Sequence, residues 1–440
     1  MTAFIRRYVA LLLLALLLTA CSSTGLTQSV DGGTPTATTA THGPGFQTKP
    51  ILQCPGILAD YQGCITPYAL RKAYDVESLT NQGFTGKGQT VVVIVSFGSP
   101  TLQQDLDTFS KQFGLPSTRL QILSPLGTVP FNNQDKDMVG WAIETTLDVQ
   151  IIHALAPEAN IVVMTSPVSE TQGTQGLPEF MKLEQYAVDH KLGQIFSQSW
   201  AASEATLTDE AGQKLIQSYA DFYKRATLEH NWTILTGSGD QGATDYADLK
   251  STQLVGRRNV TFPADVPWVT AVGGTTLQRT GTTYSEQAWT GSGGGFSTFF
   301  AQPDYQRNLT QSGGKRGLPD IAASADPASG MAFYYNKNWS LAGGTSASTP
   351  LWAGLIAVAN QIAGKPLGFI NPKLYQLAQG ANAQQNFRDI TLGNNSNRST
   401  MGGITVNVEG FQAGPGWDAV TGLGTPKAPS LLRNLAAATQ

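Results

Sequence analysis

A serine in a run of small residues, Gly343-Gly344-Thr345-Ser346-Ala347-Ser348-Thr349-Pro350, is the first place in this sequence where chemistry could be done. An apolar helix is expected to follow over residues 351–359, with Pro350 in its first turn. A hydroxyl at a helix N-terminus sits where the peptide dipoles favour developing negative charge. Glycines before it let a substrate backbone approach closely. The same residues also suit a capping Ser/Thr cluster on a glycine-rich turn.

Two acidic signals accompany Ser346. Glu144 and Asp148 stand four apart on one expected helix, so they share a face. Buried in a cleft, they would share a proton and could serve as a base and its orienting partner. On an outer face they would be two solvated acids. The second signal is Gly237-Ser238-Gly239-Asp240-Gln241-Gly242, directly after an extended run over residues 233–236. Carboxyl ends of parallel strands are where α/β sites form, so Asp240 is either a turn residue or a functional acid.

Histidine is poorly placed to help. The four are His42, His153, His190 and His230. His42 lies in a polar stretch, and the others fall in or at the ends of helical patterns. The first core strand ends in Ser96-Phe97-Gly98, without an aspartate. A Ser-His-Asp triad is therefore unsupported.

These residues need elements to hold them. Residues 90–96 read Thr-Val-Val-Val-Ile-Val-Ser, an apolar run that fits a strand buried on both faces. Residues 137–156 read as a helix stopped by Pro157. Strands are expected at 161–165, 194–199 and 233–236, and helices at 178–190 and 209–229. Alternating strands and helices imply an α/β fold, with a mostly parallel central sheet and helices on both faces. No linker-like stretch interrupts residues 51–440, so they are taken as one catalytic domain.

Composition narrows the function. Hydrophobic residues make up 41 % and charged residues 13 % of the 440. That share supports a large core and excludes wholesale disorder. The net charge of −3 leaves no basic excess for a phosphate backbone, so nucleic acid is not an expected partner. Low charge density also limits self-repulsion in acid.

The three signals in this order, Glu-x-x-x-Asp, Ser-Gly-Asp-x-Gly and Gly-Thr-Ser-x-Ser-x-Pro, resemble the sedolisins, or serine-carboxyl peptidases. Thr66-Pro67, Leu70-Arg71, Phe262-Pro263-Ala264 and Val272-Gly273-Gly274-Thr275-Thr276 add to the likeness. It implies a subtilisin-like fold and an endopeptidase that cleaves polypeptides at acid pH. Ser346 would be the nucleophile, Glu144 the base, Asp148 its orienting partner and Asp240 the oxyanion-hole acid. The rivals are an inactive surface protein that binds peptides on the same fold, and a glycosidase using Glu144 and Asp148. The latter leaves the serine motif unexplained, and its two acids are poorly placed to flank a sugar bond.

The same resemblance implies one structural calcium ion. Its ligands would be the side chains of Asp389 and Asp418 and the backbone carbonyls of Ile390, Gly414 and Gly416. Oxygen donors of this kind suit a hard cation.

At the N-terminus, Arg6 and Arg7 precede an apolar run too short to span a bilayer. It reads as a secretory signal, and Leu18-Thr19-Ala20-Cys21 resembles a bacterial lipobox. Residues 1–21 are thus expected to be a signal, with lipidated Cys21 anchoring an extracytoplasmic lipoprotein. The alternative is an ordinary secreted chain. Residues 22–50 are rich in Ser, Thr, Gly and Pro and suit a flexible tether. Cys54 and Cys64, in an exported chain, suggest a disulfide. The protein is expected to act as a monomer.

Overall fold

Five residues of one strand show how the sheet is buried. In β1 (Thr90–Ser96), Val91, Val93 and Val95 join one apolar cluster, while Val92 and Ile94 join another. Successive side chains alternate faces, so an unbroken apolar run is what a doubly covered strand requires. The computed structural model describes residues 49–437. The expected signal, Cys21 and nearly all of the expected tether lie outside the described residues. All described residues fall in one compact unit.

The central sheet adds β2 (Gln121–Leu123), β3 (Asn160–Ser166), β4 (Ile195–Gln198), β5 (Thr233–Gly237), β6 (Thr270–Thr280), β7 (Thr283–Ala288) and β8 (Ile321–Ser324). Its order is β8-β6-β5-β4-β1-β3-β2, and these neighbours pair in parallel. Val93 pairs with Val163 of β3 on one side and Ser197 of β4 on the other. Only β7 runs antiparallel, on β6. This is a subtilisin-like α/β fold with a mostly parallel sheet.

Helices α1 (Leu102–Phe113) and α2 (Lys136–Leu155) pack on one face. Helices α3 (Leu177–Asp189) and α4 (Glu210–Leu228) cover the other. The long α5 (Thr345–Ala363) joins α2 on the first face, with Trp352, Leu355, Ile356 and Val358 wholly buried. Local chemistry starts α2 and α4. Asp135 accepts the Asp137 N–H at 2.9 Å, and Asp209 accepts the Gly212 N–H at 2.7 Å.

Most expected boundaries lie within one residue of those observed. Helix α5 is the exception at both ends, and it runs to Ala363 where 359 was expected. It begins at Thr345, so Ser346 belongs to its first turn and Pro350 lies inside the helix. A proline there cannot donate to the carbonyl four residues earlier, which is that of Ser346. Ser199 Oγ lies 3.4 Å from that carbonyl oxygen. Cys54 and Cys64 are joined by a disulfide.

Candidate active site

Four elements deliver the site. Helix α2 carries Glu144 and Asp148, α5 carries Ser346, the end of β4 leads into Ser199, and the loop after β5 carries Asp240. Asp148 is fully buried, Glu144 and Ser346 are half-buried, and Asp240 opens to solvent at the rim.

Ser199 Oγ donates to Asp148 Oδ1 at 2.7 Å. The Ser346 hydroxyl lies close enough to the Glu144 carboxyl to favour its anion. Glu144 Oε1 and Asp148 Oδ2 are buried without a partner. Burial, and then the negative charge of Asp240, push the Glu144 carboxyl well above the usual carboxylate range. The Ser346 and Ser199 hydroxyls pull the other way by stabilising its anion. Asp148 is likewise raised by burial and by Glu144, with Ser199 opposing. Two buried acids this close titrate as a pair, which keeps a shared proton where isolated acids would have lost theirs.

Asp240 meets α5 end-on. Its Oδ1 accepts the Thr345 N–H at 2.7 Å and the Thr345 Oγ1 hydroxyl at 3.0 Å. The Gly239 N–H in turn donates to Thr345 Oγ1 at 3.2 Å. With Oδ1 engaged as an acceptor, Oδ2 is the oxygen left to carry a proton. A Cβ on Gly344 would collide with that oxygen, and the Gly344 φ of 81° lies in the left-handed region. Although the residue is open at the rim, its carboxyl is packed against Gly344 and Thr345, and this crowding raises its pKa while the Thr345 donors lower it.

Among the described residues, no histidine hydrogen-bonds to these groups. His153 is buried, with Nε2 3.0 Å from Pro116 O, and burial pushes it down to about 4. His190 stacks on Tyr186.

Ser199 ends the extended run 194–199 and Thr345 lies in the glycine-rich serine run, yet neither residue type at those positions signals a role. Two buried acids lie in the loops after β3 and β5. Burial raises Glu170 well above its usual value and Asp245 to about 7. Neither sits in a pattern that distinguishes it from a loop acid.

The expected calcium ligands lie near the C-terminus. Asp418 is 7 % exposed. Its Oδ1 accepts N–H groups of Val420 and Thr421 at 2.9 and 2.8 Å, and its Oδ2 that of Gly414 at 3.1 Å. Asp389 Oδ2 accepts the Gly416 N–H at 2.9 Å. Both carboxylates are thus tied to one loop, and Ile390 is buried beside Val420. Burial pushes Asp418 up to about 6 despite these donors, a carboxylate whose charge a cation would offset. The donor set fits a hard ion. Among the described residues no cluster of three or more His, Cys, Asp or Glu occurs, so backbone oxygens would have to complete the shell.

A doubly covered parallel sheet, with acids and a helix-borne serine at the carboxyl ends of its strands, defines the subtilisin-like class. The subtilase family model matches residues 127–376, more than half of the chain, and the chain belongs to the subtilase family of peptidases. Kumamolisin of Bacillus sp. (strain MN-32) is 33 % identical over 386 residues, covering 84 % of this chain and 63 % of kumamolisin. The chain therefore spans less than two thirds of that relative's length. Tripeptidyl-peptidase 1 of Homo sapiens is 29 % identical over 412 residues, covering 89 % of this chain and 67 % of the relative. Among solved structures, Pseudomonas sedolisin, a serine-carboxyl proteinase complexed with pseudo-iodotyrostatin, superposes with a TM-score of 0.70 at 26 % identity. That match covers 84 % of this chain and 98 % of sedolisin.

Proposed function

We propose that this protein is a serine-carboxyl endopeptidase that hydrolyses polypeptides in acid. Ser346 Oγ attacks the scissile carbonyl carbon as its proton passes to the ionised member of the Glu144–Asp148 pair through Glu144. The developing oxyanion takes a hydrogen bond from protonated Asp240 Oδ2. The Ser346 N–H, in the first turn of α5, adds a second donor. Glu144 then returns the proton to the leaving amine, and the acyl group stays on Ser346. A water enters, gives its proton to Glu144 and attacks the ester, and collapse restores the Ser346 hydroxyl and releases the acid.

The observation that carries this reading is the Ser199 hydroxyl lying between Asp148 and the Ser346 backbone, with Asp240 seated on the same helix turn. The first test is hydrolysis of a denatured protein at pH 4 by wild type and Ser346→Ala. Cleavage by the former alone supports the reading, and equal cleavage by both refutes it.

A structural calcium ion at Asp389 and Asp418, with the carbonyls of Ile390, Gly414 and Gly416, belongs to the same proposal. It would neutralise two carboxylates and fasten residues 389–390 to residues 414–418. An extracytoplasmic location, with anchoring through lipidated Cys21 or release as a secreted monomer, completes it. The basic-apolar start and the Leu-Thr-Ala-Cys run support that placement.

A further inference from the structure

We propose that Ser199 is a positioning residue that holds the Glu144–Asp148 pair in register with Ser346. The inference rests on the peptidase reading above. Its geometry stands apart from that reading.

Residues 198 and 199 look in opposite directions, as adjacent residues of an extended chain do. Gln198 points into the far face, where its side chain is fully buried and bonds to Glu184 of α3 and to Tyr223 Oη of α4, the latter at 3.1 Å. Tyr223 also donates to Glu184 Oε1 at 3.0 Å. The end of β4 is thereby fastened from behind. Ser199 then faces α2 and α5, 2.7 Å from Asp148 Oδ1 and 3.4 Å from the Ser346 carbonyl oxygen.

That carbonyl is available because Pro350 has no N–H to give it. A single hydroxyl therefore touches the orienting acid and the backbone of the nucleophile. It has one proton to give, and the 2.7 Å bond to a carboxylate is the stronger claim on it. The charged and titratable groups acting on the pair are Asp240, from the loop after β5, and the two acids themselves. Ser346 and Ser199 are the hydroxyls that oppose them. No cation is among these groups, so hydroxyl donors are what favours the ionised form.

The test compares wild type, Ser199→Ala and Ser199→Thr. Steady-state cleavage of a peptide is measured across pH, and the carboxyl carbons are titrated by 13C NMR. Removing one hydrogen bond to a charged group should lower kcat by about 10- to 100-fold, with KM changing little. The acid limb of the profile and the NMR midpoint should both move up by roughly one pH unit. Ser199→Thr keeps the hydroxyl and should restore both the rate and the midpoint. An unmoved midpoint in Ser199→Ala overturns the proposal, whatever the activity. So does a kcat loss that Thr fails to rescue and that follows a fall in melting temperature alone. If wild type cleaves nothing, or Ser346→Ala cleaves equally, the peptidase reading fails while the titration still judges Ser199.

Discussion

Asp240 caps the helix that bears Ser346: its Oδ1 holds the N–H and the hydroxyl of Thr345, at 2.7 and 3.0 Å. One carboxyl thus starts α5 and, in the proposed mechanism, is also the oxyanion donor. The two duties separate by substitution. Asp240→Ala should cost about 1 kcal/mol of stability through the lost cap and roughly two to three orders of magnitude in kcat through the lost donor. Asp240→Asn keeps an acceptor and a donor that does not ionise. Its stability should stay near wild type, and its activity should no longer fall along the alkaline limb. Melting curves and a pH profile of both variants check this, and a near-wild-type kcat in Asp240→Ala would remove it from the site.

Gly344 holds the loop that brings Asp240 to the helix. Its φ of 81° and its closeness to Asp240 Oδ2 leave no room for a methyl group. Gly344→Ala should cost about 1–3 kcal/mol in backbone strain and displace the carboxyl, with about a hundredfold loss of kcat. A stable, fully active variant would show that the contact is dispensable.

Stability should fall as pH rises. Asp148, Glu170, Glu184 and Asp265 are buried and held well above the usual carboxylate range, by burial first in each case. Asp245 is raised by burial to about 7. The folded protein keeps these protons at pH values where the unfolded chain has released them. The stabilisation they give is whole below about pH 4 and is lost as pH climbs through the folded values. Melting temperature should therefore drop steadily between pH 4 and pH 8, by roughly 2 °C per kcal/mol lost in a chain this long. A maximum at neutral pH would contradict it.

Chelation should expose the contribution of the proposed ion. An ion present at about a hundred times its dissociation constant stabilises the folded state by about 2.7 kcal/mol. Excess chelator should thus lower the melting temperature of wild type and leave Asp418→Ala unmoved. An unchanged wild-type value would contradict the site.

The parts readable in advance are those set by local pattern. The run 90–96 announced itself because both faces of β1 are covered, so nothing polar interrupts it. Pro157 marked the end of α2 in the same direct way. The start of α5 was hidden for the opposite reason. Thr345, Ser346, Ser348 and Thr349 show no apolar period, and the group that caps them, Asp240, is brought in from another loop. Ser199 was also hidden, because its partners Asp148 and Ser346 come from two other helices. The raised acids Glu170, Glu184 and Asp265 carry no local mark, since burial is a property of the assembled fold.

The central claim is that carboxyl groups, with no imidazole, activate Ser346. Its most direct test is kcat/KM against pH from 2 to 8 for wild type and Glu144→Gln on one peptide. The account predicts a wild-type maximum in acid and a loss of about 10²- to 10⁴-fold in the variant at that maximum. A neutral or alkaline maximum that survives Glu144→Gln would contradict it.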